Sequence, residues 1–306
     1  MQLPLNFGGL PEEHARLDGA RFVVIPAPYE GTTTYLKGTA RGPSAVIDAS
    51  RNLELWDEEL LAETFREGIH TLPTPELEPL APEVVVERLE RLAGPVLDRG
   101  QVAVTIGGEH SISLGPVRAA RARHPTLSVL QLDAHTDLRD EYDGTKYGHG
   151  CVMRRILGLG CRLVQVGIRS LSTEEAELVS LGAEGRLRTF FARDLVRPGS
   201  AGVAGSLDAI LAGLDDPVYL SVDVDAFDPA FVPGTGTPEP GGLSWWDVTA
   251  ILAAVTAARR VVGFDVVETI PLEGQAVSEF LAAKLVYRIM GYVARGRGSA
   301  GVAAGR

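Results

Sequence analysis

What most constrains this chain is a rhythm of short, almost wholly apolar runs separated by longer amphipathic stretches. Gln101–Ile106, Leu127–Leu132, Pro217–Val222 and Arg260–Val266 are of the first kind, with weaker runs at Arg21–Pro26, Arg162–Val166 and Arg186–Phe191. A strand apolar at nearly every position must be covered on both faces, as in a parallel sheet. Between these runs, Pro82–Asp98 sets Val85, Leu89, Leu92 and Val96 at helical spacing. Ser113–Arg123, His149–Leu157, Thr173–Leu181, Gly202–Leu214, Ser244–Ala258 and Gln275–Val293 also read as helices. Ser172 or Thr173, and Ser244, stand where N-caps are expected. Strands and helices in this alternation make βαβ units. The expectation is one doubly wound α/β domain over residues 1–306, with about eight strands. A TIM barrel competes at this length, but the element lengths are too irregular for it.

Charge and cysteine content exclude several functions. With 40 acidic against 29 basic residues, the net charge of −11 is wrong for wrapping a nucleic acid. Two cysteines, Cys151 and Cys161, cannot build a disulfide framework, and a reducing compartment is the simplest setting. No apolar stretch is long enough for a membrane span, and Met1–Asn6 lacks the pattern of a secretory leader. A cytoplasmic protein is expected. The end, Arg295–Arg306, is rich in Gly, Ala, Ser and Arg and is expected to fray.

Three segments at the ends of apolar runs carry the chemistry. Asp133-Ala134-His135-Thr136-Asp137 follows Leu127–Leu132, and alternate residues of an extended chain share a side. Asp223-Val224-Asp225 follows Pro217–Val222 in the same way, with Asp228-Pro229 beyond it as a turn former. Gly107-Gly108-Glu109-His110-Ser111 follows Gln101–Ile106, where Ser111 or Ser113 is also a candidate helix cap. Open α/β sheets bind ligands at the carboxyl edge. His110, Asp133, His135, Asp137, Asp223 and Asp225 thus form a candidate ligand set. Four carboxylates are too many for a structural zinc. Oxygen donors with some imidazole suit Mn²⁺ or Mg²⁺, with Fe²⁺, Co²⁺ or Zn²⁺ as alternatives. So many carboxylates favour two ions, which together activate water and clamp developing charge. The residues alone therefore point to a two-metal hydrolase. A zinc-dependent deacylase and a non-catalytic cation-binding protein are the rival readings. The long Gly- and Pro-rich stretch Ala226–Leu243 is expected to be functional.

On these three motifs, together with Gly236–Leu243 and Asp265-Val266-Val267-Glu268, the sequence resembles the ureohydrolase (arginase/agmatinase) family. The resemblance runs from about Val23 to the last helix. It implies a three-layer α/β/α sandwich with a mostly parallel sheet, two Mn²⁺ per subunit, a homo-oligomer, and hydrolysis of a guanidino compound to urea and an amine by a metal-bridging hydroxide. It places one ion on His110, Asp133, Asp137 and Asp223, and the other on Asp133, His135, Asp223 and Asp225. Asp133 and Asp223 would bridge. Asp137 would accept a hydrogen bond from the attacking hydroxide, Glu268 would hold the guanidinium, and His149, in Tyr147-Gly148-His149-Gly150, would bind substrate and shuttle protons. Without the family, Glu268 could instead pair with an arginine and His149 could simply begin a helix.

Within the family, Leu138–Tyr147, Pro28–Thr33 and Gly38–Pro43 look like agmatinase, although Glu30 stands where many agmatinases carry Asp. The implied reaction is agmatine to putrescine and urea, a step of polyamine biosynthesis. Guanidinobutyrase and arginase are the family alternatives. Asp140, Glu141 and Asp143, offset only by Arg139, are expected to line the mouth and favour a substrate ammonium over a carboxylate.

Overall fold

The computed structural model describes residues 3–296. Eight strands form one sheet: β1 (Phe22–Ala27), β2 (Ile69–Thr71), β3 (Val102–Gly107), β4 (Ser128–Leu132), β5 (Arg162–Ile168), β6 (Leu187–Phe191), β7 (Val218–Asp223) and β8 (Val261–Val267). Every neighbouring pair is parallel, in the order β2-β1-β3-β8-β7-β4-β5-β6. The early strands extend one half of the sheet and β4–β6 extend the other, so the winding reverses between β3 and β4. β7 and β8 fill that gap.

Alternate residues along each strand feed opposite cores, which is why the runs are apolar throughout. Val24, Val104, Leu130, Val166, Leu220 and Phe264 pack in one core with the helices Gly42–Ser50, Trp245–Ala258 and Val277–Arg295. On the other face, Val129, Leu163 and Tyr219 meet the helices Leu114–Arg123 and Val152–Gly158, and Val23, Ile25 and Ala103 meet Pro82–Asp98. The fold is the expected three-layer sandwich. No described helix is long and apolar enough to cross a membrane.

Most expected elements form within one or two residues of their limits, and Pro82–Asp98 matches at both ends. Ser172 and Ser244 each make a full capping box, with Glu175 and Asp247 as partners. Several details differ. Ser113 makes no side-chain cap, because His110–Ser113 is already a 3-10 turn leading into Leu114–Arg123. His149–Cys151 is likewise 3-10 before the helix Val152–Gly158. The eighth strand, β2, is three half-polar residues at the sheet edge, too short for periodicity to reveal. The helix Gly42–Ser50 also went unexpected, since Gly42 and Pro43 read as loop residues although proline is at home in a first helical turn. The fraying expected from Arg295 onward starts too early: Arg295 ends the last helix, and the Gly296 N–H donates to Tyr292 O at 2.8 Å. Residues 297–306 lie outside the described residues.

Candidate metal centre

The three motif segments leave the sheet from neighbouring central strands. β3, β8, β7 and β4 are adjacent, and their carboxyl ends deliver His110, Glu268, Asp223 with Asp225, and Asp133 with His135 and Asp137. Leu132 pairs with Val222, and Asp223 with Val267, so Asp133 and Asp223 continue the same row past the last rung. This is the switch point of the sheet, where α/β proteins bind ligands.

The side chains converge on two histidine nitrogens. His110 Nδ1 lies 2.9 Å from Asp137 Oδ2, 3.1 Å from Asp133 Oδ2 and 3.4 Å from Asp223 Oδ2. His135 Nδ1 lies 2.9 Å from Asp225 Oδ2 and 3.6 Å from Asp133 Oδ1. Asp133 therefore offers one oxygen to each side, and it belongs to both candidate ligand groups, His110–Asp133–Asp137 and Asp133–His135–Asp225. Asp223 turns Oδ2 toward His110 and uses Oδ1 to accept the Asp225 N–H at 2.8 Å. Asp137 and Glu268 both adopt left-handed backbone, with φ of 53° and 64°. Non-glycine residues seldom do so, and such strain concentrates at functional sites.

The donor chemistry fits a cation. The Ser221 hydroxyl donates to Asp265 Oδ1 at 2.8 Å and so must accept from His110 Nε2–H at 2.9 Å. A neutral His110 then presents the lone pair of Nδ1 to three carboxylates, and Nδ1 is buried without a well-formed hydrogen bond. Protons are one remedy for such repulsion. Burial opposes charging His110, but Asp133, Asp137 and Asp223 raise its pKa well above the ordinary value. Burial, then the Asp133 charge, pushes Asp137 up to about 7. Burial and the charges of Asp225 and Asp133 drive Asp223 well above the carboxylate range. Against the pull of burial, Asp225 and Asp133 push His135 up to about 12. Divalent cations are the other remedy, and they displace those protons.

Beneath this cluster runs a feature the motifs did not reveal. Thr105, Asp265, Ser221, Gln131, Gln165 and Thr189 form one polar row across six neighbouring strands. Gln131 Nε2 donates to Asp133 Oδ2 at 2.7 Å, and Gln165 Nε2 donates to Gln131 Oε1 at 2.6 Å. The row orients Asp133 and His110, as outer-shell partners of metal ligands do. Its trace in the sequence is a polar residue one or two positions before the end of each run, as in Leu130-Gln131-Leu132 and Leu220-Ser221-Val222. Arg169 was also missed. Its guanidinium donates to the carbonyls of Asp225, Phe227 and Glu239, fastening the loop after β7. Asp228 is a turn former as expected, accepting from the N–H groups of Ala230, Gly241 and Gly242.

Above the cluster opens a cavity of about 340 Å³. His110, His135, Asp137, His149, Asp223, Asp225 and Glu268 all line it. Glu268 accepts the His110 N–H at 2.7 Å rather than an arginine, and burial, then the charge of Glu109, raises its pKa well above the usual range. His149 Nδ1 lies 3.3 Å from Thr32 Oγ1, and burial lowers the ring's pKa to about 4, leaving it neutral near pH 7. The expected acidic mouth is corrected. Asp140 pairs with Lys146 and Arg155, and Asp140, Glu141 and Asp143 do not line the cavity. Its wall comes instead from Thr33–Leu36, Arg139, Tyr142, Glu175 and Glu239. Arg139 lies over the Tyr142 ring at 4.5 Å and 4.0 Å from Glu175. Cys151 and Cys161 are buried free thiols, each pushed up to about 11 by burial.

Similarity to known proteins covers almost the whole chain. The model of the arginase family matches residues 20–291. The chain is 40% identical over 280 residues to an N(1)-aminopropylagmatine ureohydrolase of Synechocystis, with 89% of each protein covered. It is 33% identical to an agmatinase of Pyrococcus horikoshii, covering 90% of this chain and 93% of that one. The crystal structure of the agmatine ureohydrolase of Thermoplasma volcanium superposes with a TM-score of 0.81 at 32% identity, covering 90% of each chain.

Proposed function

This chain belongs to the arginase family, and we propose that it is a two-metal ureohydrolase for a guanidinium carried on an aliphatic amine. Hydrolysis of guanidino C–N bonds follows from the family and its ureohydrolase relatives. The observation that carries the finer reading is the cavity itself. With Asp137, Asp223 and Asp225 given to the ions and Glu268 to the guanidinium, the rest of the lining carries the carboxylates Glu175 and Glu239 and one guanidinium, that of Arg139, which lies 4.0 Å from Glu175. Arg139 already faces a carboxylate of its own, so this wall favours a cationic chain and offers a substrate carboxylate a cation only by breaking that pair.

His110, Asp133, Asp137 and Asp223 would hold one ion, and Asp133, His135, Asp223 and Asp225 the second. Oxygen-rich donors with imidazole suit Mn²⁺. When bound, the pair supplies Lewis acidity and lowers the pKa of water. Asp137 accepts a hydrogen bond from the attacking water and aligns it. Glu268 holds the guanidinium beside the cluster. Water adds to the guanidinium carbon and gives one proton to Asp137, which passes it to the alkyl nitrogen as the bond from that carbon to that nitrogen breaks; urea leaves and its remaining hydroxyl proton is lost to solvent. The departing amine takes a proton, which His149 delivers from solvent through its imidazole.

Agmatine is the substrate expected from the sequence. N(1)-aminopropylagmatine is a second reading, favoured by the 40% identity to a relative of that name. Competition among agmatine, N(1)-aminopropylagmatine, arginine and guanidinobutyrate at equal concentration with Mn²⁺ tests this. Consumption of either amine first, by about 10²-fold or more in kcat/KM over the two acids, is expected. Preference for arginine or guanidinobutyrate would refute the cationic-chain reading and leave the family unaffected.

A further inference from the structure

The segment Pro28–Thr33 and the residue Glu109 have no role in the reaction as described, yet they meet beside His149. Glu109 is fully buried one residue before His110. It accepts the Thr32 N–H at 2.6 Å, the Thr32 hydroxyl at 2.6 Å and the Ser111 hydroxyl at 2.5 Å. Gly108 permits this meeting. Its N–H donates to Ala27 O at 2.8 Å, and a Cβ there would lie 2.1 Å from Tyr29 O, so only glycine lets the two segments touch. The Thr32 hydroxyl has one hydrogen, and it is committed to Glu109. Its oxygen is left to accept, and two groups of His149 approach it: the backbone N–H at 3.0 Å and ring Nδ1 at 3.3 Å. An oxygen that accepts from Nδ1 fixes the proton on Nδ1 and leaves the lone pair of Nε2 for the cavity.

We propose that Thr32, braced by Glu109, is a positioning residue that sets the ring orientation and tautomer of His149, so that Nε2 exchanges the proton needed by the leaving amine. This rests on the assignment of proton transfer to His149. Thr32 sits on the loop that continues into the cavity wall at Thr33–Leu36, so one segment both shapes the substrate channel and aims the acid–base group.

The experiment compares the Mn²⁺-loaded wild type with Thr32→Val, Thr32→Ser, His149→Asn and the double variant Thr32→Val/His149→Asn. It measures kcat, KM, bound metal and Tm on one hydrolysed guanidino amine. Valine keeps the shape and removes the acceptor, and Thr32→Ala carries the same comparison should valine not fold. Thr32→Val is expected to lose about 10- to 100-fold in kcat with KM and metal content unchanged. Thr32→Ser should restore most of the rate. In the His149→Asn background, Thr32→Val should cost nothing further, because the group it serves is gone. A wild-type kcat in Thr32→Val beside a slow His149→Asn would overturn the inference alone. So would an equal loss from Thr32→Val in both backgrounds, which is the signature of a merely structural loop contact. A wild-type rate in His149→Asn would instead overturn the proton-transfer assignment on which the inference rests.

Discussion

Removing divalent metal should destabilise the folded chain by an amount that can be worked out in advance. A ligand bound only by the native state and present at 100 times its Kd contributes about 2.7 kcal/mol, so two ions contribute about 5 kcal/mol. Unfolding entropy near 60 °C is about 2.1 cal/mol/K per residue. Over 306 residues that is about 0.64 kcal/mol/K. Saturation with Mn²⁺ should therefore raise Tm by about 8 °C over chelator-treated protein, and by about 4 °C if only one ion binds. The shift should depend on pH in a definite direction. In the ion-free fold, burial and the Asp133 charge hold Asp137 at about 7, far above the ordinary carboxylate range, and neighbouring carboxylates raise His110 well above the ordinary imidazole value. The ion-free fold thus binds more protons than the unfolded chain, and its stability falls as pH rises through these folded-state values. Ions must displace the same protons, so the Mn²⁺-induced rise should be larger at pH 8 than at pH 6. Calorimetry in chelator and in excess Mn²⁺ at both pH values makes the measurement. A shift below about 2 °C, or one that shrinks as pH rises, would refute the reasoning.

The remaining expectations concern single side chains. Asp133→Asn touches both ligand groups and should lose both ions by elemental analysis, whereas Asp225→Asn touches one group and should retain the ion on the His110 side. His149→Asn should keep both metals and lose about 10²- to 10⁴-fold in kcat, measured at saturating substrate. Ser221→Ala removes the hydroxyl that links buried Asp265 to His110 Nε2; it should weaken metal binding about 10- to 100-fold, read by titration with Mn²⁺.

The clustering of these carboxylates and histidines was legible in the sequence because each of them follows an apolar strand within a few residues. Local alternation then fixes which side chains share a side, and a parallel sheet gathers strand ends at one edge. Capping residues were legible for the same reason, since Ser172 and Ser244 act within one helical turn. What escaped was non-local. Gln131, Gln165 and Ser221 read as interruptions of apolar runs, and only the strand order reveals them as one row. The wall at Thr33–Leu36 reaches the cavity from the other end of the chain. The acidic stretch after Asp137 was misplaced because exposed charges pair with whatever lies near: Asp140 found Lys146 and Arg155 instead of the channel.

The proposed function requires these carboxylates and histidines to hold a pair of ions on which ureolysis depends. Elemental analysis of Mn²⁺-reconstituted protein, taken alongside urea release from a guanidino amine, tests it most directly. Two ions per chain are expected, with urea release lost on chelation and recovered in step with metal uptake. Full turnover in protein shown to be free of divalent metal would rule out a metal-dependent ureohydrolase.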